Sequence, residues 1–286
     1  MMMPALLRAL LFPLSLLYAL AVTLRSLLYD RGLLRTRSVG VTVLSVGSVS
    51  VGGAGKTPLV IWLVERCRRF GLRPVVVSRG YRGPTKEPTV IESGSRRGAD
   101  EALLVAARTG CPVVTGRDRV AACRLAIERF SPDLVILDDG FQHRRLARDI
   151  DLVIAPMDED RGLLPSGSLR EPRAAMDRAH LVVSTGTGTV GLVRDPSDRD
   201  AEAEPAASLL EGQRALAVAG IAKPAPFITA LEGMGSGEVE ALLFPDHHDY
   251  RPADIASIRM AAIGRDLIVT TEKDLVKLRG ANLGPA

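Results

Sequence analysis

From residue 39 onward the chain alternates short apolar runs with stretches of helical period, and ahead of that alternation stands one long apolar segment. Residues 1–28 are strongly apolar, interrupted by Arg8, Pro13 and Arg25, and the run 9–24 carries no charge. A helix that spans a bilayer needs about 20 apolar residues, so this run is short for that purpose. The segment fits either a membrane anchor or a helix lying in the membrane interface; the bland alternative is a core helix packed on the rest of the protein. As an anchor, its C-terminal end would be held in the cytoplasm by Arg25, Arg31, Arg35 and Arg37. Ala19-Leu20-Ala21 also has the small-x-small form of a leader cleavage site.

The alternation that follows predicts strands at 41–46, 73–78, 112–115, 134–137, 152–155 and 181–184, with helices over 58–70, 99–109 and 118–130. Continuous apolar runs such as 41–46 suit strands buried on both faces. Pro58 suits the first turn of a helix, where its missing N–H costs nothing. Strand–helix alternation of this kind predicts an α/β fold, a mainly parallel sheet with helices on both faces. Residues 185–207, rich in Gly, Thr, Ser, Asp and Pro, read as a linker or long loop. Beyond them, strands at 215–220 and 267–270 and helices at 225–234, 253–263 and 274–278 predict a second, smaller α/β unit, with a loop around 244–250. The expected organisation is therefore an apolar helix at 1–28, a larger α/β core at 29–207 and a smaller domain at 208–286.

Composition changes this picture little. The chain has 286 residues, 47% of them hydrophobic and 24% charged, which excludes wholesale disorder. A net charge of +4 fits an anionic membrane or a phosphorylated ligand, and no nucleic acid or obligate protein partner is expected. Basic residues are mostly Arg, so Lys56 stands out. Cys67, Cys111 and Cys123 form no C-x-x-C pair and are expected to be buried, reduced thiols in a reducing compartment.

The chemistry begins at Gly47-Ser48-Val49-Ser50-Val51-Gly52-Gly53-Ala54-Gly55-Lys56-Thr57, between a buried strand and a helix. That is the setting of a phosphate-binding P-loop, whose glycines let backbone N–H groups turn in on phosphate oxygens at a helix N-terminus. Gly52, Gly53, Ala54 and Gly55 would form the cradle, Lys56 would reach the β- and γ-phosphates, and Thr57 would ligate Mg²⁺. The strict pattern wants Gly where Ser50 stands, and the adjacent glycines can supply the turn. Leu134-Val135-Ile136-Leu137-Asp138-Asp139 has the form of the metal-holding strand that accompanies such a loop. An ATP site also argues against export, and so against a leader.

The surrounding motifs are narrower. Gly52-Gly53-Ala54-Gly55-Lys56-Thr57-Pro58, Ser78-Arg79-Gly80-Tyr81-Arg82-Gly83, Asp138-Asp139-Gly140-Phe141-Gln142-His143 and Gly162-Leu163-Leu164-Pro165-Ser166-Gly167-Ser168-Leu169-Arg170-Glu171-Pro172 resemble the tetraacyldisaccharide 4′-kinase family of lipid A biosynthesis. Phe244-Pro245-Asp246-His247-His248 and Thr271-Glu272-Lys273-Asp274 continue the resemblance in order. Ser48 departs from it, standing where the family usually has Asn, and the family's chains usually run longer. The resemblance implies transfer of the ATP γ-phosphate to the 4′-hydroxyl of a tetraacylated disaccharide 1-phosphate. It also implies Mg²⁺ and a place on the cytoplasmic face of the inner membrane, held by the N-terminal helix.

It further implies roles. Asp138 and Asp139 share metal holding and orientation. Asp100 aligns with an acidic residue that activates the sugar hydroxyl, although its position also suits a helix N-cap. His247, preferred over His248, would pair with that aspartate, drawing catalysis from both domains through closure. His143 would contact nucleotide or acceptor or make a structural hydrogen bond. Arg170 would contact phosphate and Glu171 the nucleotide or Arg170, with a surface ion pair as the alternative. Arg79, Tyr81 and Arg119 are further substrate or phosphate contacts, and Lys273 and Asp274 would brace the second domain or touch the base. The rival reading is a membrane-associated regulatory ATPase, but Val51 stands where that type carries Lys. A GTPase is disfavoured by the spacing around Lys273-Asp274, and a lipid-binding module leaves Lys56 and the paired acids unexplained.

Overall fold

The computed structural model describes residues 5–51, 55–80, 87–92, 95, 98–155, 162–183, 210–221, 224–278, 281 and 283. The chain divides into two compact units, Met1–Gly186 and Thr187–Ala286. The expected linker at 185–207 and boundary at 207 lie outside the described residues.

The first unit runs α1 (Ala5–Asp30), β1 (Thr42–Ser48), α2 (Lys56–Arg69), β2 (Pro74–Ser78), β3 (Thr89–Ile91), α3 (Asp100–Thr109), β4 (Val113–Thr115), α4 (Arg119–Phe130), β5 (Leu134–Asp138), β6 (Ile150–Ile154) and β7 (Leu181–Val183). The strands form one sheet in the order β3-β4-β2-β5-β1-β6-β7, parallel throughout except for the β3–β4 edge pair. Alternate residues of each strand face opposite helices. Val43, Val75, Val77, Val135 and Leu137 pack with Val120, Cys123 and Ala126 of α4, whereas α2 lies on β1, β2 and β5 and buries Val60, Ile61 and Val64. Both β2 and β5 are buried along their whole length, which is why they read as unbroken apolar runs. Cys111 and Cys123 are buried free thiols, pushed up by burial to about 11 and about 12, while Cys67 is only half-buried.

The second unit contains β8 (Arg214–Ala219), α5 (Ala225–Gly233), β9 (Glu238–Leu243), α6 (Pro252–Ala261), β10 (Leu267–Thr270) and α7 (Glu272–Leu278). Its strands form a parallel sheet in the order β10-β8-β9. Ala215 and Ala217 face Leu231 of α5, and Leu216 and Val218 face Ile258 of α6 and Leu278 of α7. Two strands were not legible in the sequence. β3 is a short antiparallel edge, and β9 is a largely exposed edge whose Glu238 and Glu240 break the apolar run expected of a buried strand.

α1 runs to Asp30, two residues past the end of the expected 1–28 segment, and is not a core helix. Leu6, Leu10, Phe12, Leu17, Leu20 and Leu24 are exposed. Its polar side chains instead face the protein. The Ser15 hydroxyl donates to the Leu163 carbonyl (3.1 Å), and Ser166 N–H donates to Ser15 Oγ (2.9 Å). The Tyr18 hydroxyl donates to the Arg170 carbonyl (2.9 Å) and Arg25 to the Gln142 carbonyl (2.8 Å). Arg144 donates to the Ser26 carbonyl (3.0 Å) and to the Asp30 carboxylate (2.7 Å). Residues 15, 18, 25, 26 and 30 lie on one face of a 3.6-period helix, and the leucines at 16, 17, 20, 24 and 27 lie on the other.

Candidate functional site

The site is assembled at the carboxyl ends of β1 and β5. These strands pair in parallel with Val46 opposite Asp138, so the loop leaving β1 and the acids ending β5 emerge side by side. Their backbones are locked together. Gly140 N–H donates to the Val46 carbonyl (3.1 Å), and the Gln142 amide donates to the Ser48 carbonyl (3.1 Å). Gly47 permits this approach, since a Cβ there would fall 2.4 Å from Phe141 Cβ. Gly55 caps α2 at φ 77, a left-handed conformation that glycine adopts without penalty. Gly52, Gly53 and Ala54, expected in the cradle, lie outside the described residues, as does Tyr81.

Lys56 is the first residue of α2, and its Nζ lies 3.5 Å from Asp139 Oδ1. Arg170 reaches the same carboxylate, donating from NH1 at 2.8 Å and 2.9 Å. Burial pushes the Asp139 carboxyl up, but Lys56 and Arg170 together outweigh that and hold it below the usual range. Asp139 sits at φ 55, an unusual conformation for a non-glycine residue that turns its carboxylate toward the two cations. Arg170 is itself pinned: its N–H donates to the Val49 carbonyl (2.7 Å), and its carbonyl accepts from Tyr18 of α1. Its neighbour Glu171 is buried and accepts from Arg178 (2.8 Å), so the expected Glu171–Arg170 pairing is replaced by a Glu171–Arg178 one.

Asp138 is in the opposite condition. It is 4% exposed, and its carboxylate accepts no hydrogen bond among the described residues. Burial pushes it up to about 7, helped by the negative charges of Glu101 and Asp139. Such a group needs a proton or a cation. Among the described residues no group of three or more His, Cys, Asp or Glu could hold a metal alone. A buried carboxylate and a hydroxyl are the oxygen donors that Mg²⁺ takes, and Thr57, buried in the first turn of α2, carries such a hydroxyl.

Arg119, the first residue of α4, is 4% exposed and donates to the Gly116 carbonyl (3.1 Å), while its Nε has no partner. Burial lowers it to about 10 even though Asp139 and Asp138 favour its charge, so a buried cation stands near both acids. Arg79, exposed after β2, adds a second positive charge felt by Arg119. His143 is lowered to about 4 by burial and by Arg119, so it is neutral near pH 7, with Nε2 buried and unpartnered. Asp100 opens α3, half-buried, but Ala99 occupies the cap position that Asp100 was suited to fill. Glu101, one residue on, was missed in the sequence; only its charge on Asp138 reveals it.

In the second unit the adjacent histidines differ. His248 stacks on Phe244 (4.8 Å between centroids), meets Tyr250 edge-on and bonds Asp254 at 3.0 Å. His247 stands at φ 59 with its N–H donating to the Gly220 carbonyl (3.1 Å) and Asp246 3.8 Å from its ring. Asp274 accepts from Gly220 N–H (3.0 Å) and from the Thr271 hydroxyl (2.6 Å), so its place is that of a brace for this unit.

The chain is similar to known proteins along most of its length. The family model described as Tetraacyldisaccharide-1-P 4′-kinase matches residues 7–285. The tetraacyldisaccharide 4′-kinase of Syntrophus aciditrophicus (strain SB) is 41% identical, with 92% of this chain and 82% of that protein covered. The enzyme of the same name from Geobacter sulfurreducens is 40% identical, with the same shares covered. Among solved structures, "apo" form LpxK from Aquifex aeolicus in complex with ATP superposes with a TM-score of 0.79 at 33% identity, covering 97% of this chain and 92% of that one.

Proposed function

This chain belongs to the tetraacyldisaccharide 4′-kinase family and is an ATP-dependent phosphotransferase of lipid A biosynthesis; we propose that its reaction runs over Lys56, Asp138 and Asp139. The observation that carries this reading is the β1–β5 register, which sets two carboxylates beside the loop that ends in Lys56-Thr57. Lys56 exchanges Asp139 for the β- and γ-phosphates when ATP binds, and Arg119 and Arg170 lie near enough to the acids to share the remaining charge. Thr57 and Asp138 are the residues to hold Mg²⁺, which neutralises phosphate charge when bound. Asp100 takes the proton of the 4′-hydroxyl as that oxygen bonds the γ-phosphorus, the bond from γ-phosphorus to the β–γ bridging oxygen breaks, and ADP leaves. Neutral His143 is suited to hydrogen bonding rather than charge.

The acceptor is a lipid, and α1 is suited to bring the enzyme to it. The helix is long and apolar enough to cross a membrane by composition, with 6% of its apolar window buried. Its polar face is nevertheless committed to the first unit from Ser15 to Asp30, about 22 Å of helix at 1.5 Å per residue. The reading favoured is a helix lying in the cytoplasmic interface of the inner membrane, leucines down and polar stripe on the protein.

The test is direct. Purified protein, ATP, Mg²⁺ and tetraacyldisaccharide 1-phosphate are incubated, and the lipid is analysed by mass spectrometry. A product one phosphate heavier is expected, and ATP hydrolysis that leaves the lipid unchanged would return the regulatory-ATPase reading.

A further inference from the structure

Beyond α1 the chain turns back along the first unit and leaves a groove of about 530 Å³ lined by Tyr29, Arg35, Thr36, Arg37, Ser38 and Arg124, among others. We propose that this groove is a headgroup site for an anionic phospholipid, holding its phosphate between Arg35, Arg37 and Arg124. The proposal rests on α1 lying in the membrane interface and adds a charged contact to it.

Three observations carry it. First, the groove has a fixed floor. Arg37 N–H donates to the Arg145 carbonyl (2.8 Å), the Arg37 carbonyl accepts from Ala147 (2.9 Å), and the Thr36 hydroxyl donates to the Arg144 carbonyl (3.1 Å). Second, its cations are uncommitted. Among the described residues the guanidiniums of Arg35, Arg37 and Arg124 make no ion pair or hydrogen bond, although arginines nearby do. Arg144 is paired with Asp30, Arg145 with Asp118 and Arg148 with Asp151. An Arg-rich composition leaves single guanidiniums unpaired elsewhere among the described residues, as at Arg69 and Arg129, whereas three of them line this one groove. Third, the groove has apolar surface at its edge. Leu34 lines it and its neighbour Leu33 is exposed, so a lipid's tails have apolar surface beside the cations that hold its phosphate. A guanidinium is suited to bidentate contact with phosphate oxygens, and basic residues at an anionic leaflet each strengthen binding about five-fold.

The experiment is vesicle sedimentation of the full chain. One set of vesicles is pure phosphatidylcholine, and the other contains phosphatidylglycerol. The variants are the triple Arg35→Gln/Arg37→Gln/Arg124→Gln and a charge-matched control, Arg69→Gln/Arg129→Gln/Arg259→Gln. Wild type is expected to bind both vesicle types and to prefer the anionic ones. The triple variant should bind anionic vesicles about 100-fold more weakly while keeping its binding to neutral ones. The control should change little, and added salt should narrow the difference between wild type and the triple variant. An unchanged anionic preference in the triple variant, or an equal loss in the control, overturns the headgroup site and leaves the interfacial helix standing. Wild type that binds neither vesicle overturns both. A final arm adds soluble glycerol phosphate at constant ionic strength. No displacement is expected; displacement at millimolar concentration would make the occupant a free phosphate ester and overturn the lipid assignment.

Discussion

Lys56 at the start of α2 and Asp139 at the end of β5 form an ion pair at 3.5 Å, so the cation proposed to bind phosphate has a carboxylate partner. On the proposed mechanism Asp139 both positions Lys56 and competes with ATP for it. Replacing it by Asn should lower kcat by at least about 100-fold through loss of orientation, yet leave ATP affinity equal or slightly improved. Calorimetric titration with ATP beside single-turnover transfer separates the two effects; a matching loss in affinity would mean that Asp139 serves binding.

Lys56→Ala should abolish phosphoryl transfer, by about 1,000-fold or more, with little change in Tm. The side chain is a ligand for phosphate, and among the described residues its ion-pair partner is Asp139 rather than any group of the apolar core. Transfer at wild-type rate would remove the loop from the mechanism.

Asp138 provides a pH signature. Its folded value of about 7 stands above the ordinary 3.8, so between these values the folded protein holds the extra proton. Metal-free stability should then fall as pH rises through that window, by at most about 4 kcal/mol from this group. Asp138→Asn should accordingly raise Tm relative to wild type at pH 8 without Mg²⁺ and give no advantage at pH 4. Saturating Mg²⁺ with ATP should shrink the gap at pH 8. Thermal melts across pH check this, and a pH-independent difference would count against a strained carboxyl.

Asp100→Asn should depress kcat far more than KM for ATP, by about 100-fold or more if Asp100 is the base. Because Ala99 holds the cap position of α3, the stability cost should stay under about 1 kcal/mol. Steady-state kinetics with a denaturation curve decide; a stability loss with unchanged kcat would assign Asp100 to the helix end.

The two histidines should separate cleanly. His248→Ala removes a ring stacked on Phe244 and an Asp254 contact, and should destabilise the second unit by about 1–3 kcal/mol. His247→Gly relieves a left-handed backbone and should leave stability equal or higher. Unfolding curves for both variants test the contrast.

Much of this was readable in the residues. The sheet was legible because strands buried on both faces write themselves as unbroken apolar runs, and β1 and β5 are of that kind. Lys56, Asp138 and Asp139 were legible because a phosphate loop requires particular atoms at particular offsets. β9 was not, since an exposed edge has no need of such a run. Glu101 and the contrast between a paired Asp139 and a strained Asp138 depend on which charges the fold brings near, and neighbours in sequence do not record that. The polar stripe of α1 was hidden because isolated Ser, Tyr and Arg in a leucine-rich segment look like interruptions until the helix is docked.

That stripe bears on how the enzyme can be handled. A greasy leading segment invites excision to obtain a tractable soluble fragment, but here its hydroxyls and charges are the inner lining of a seam. Cutting before residue 31 would strand the Arg144 guanidinium and the Ser166 N–H, and would remove the phenol that steadies Arg170 from behind. The excised protein would lose part of its phosphate machinery along with its grease, so detergent or leucine-to-polar exchange on the outer face is the gentler route.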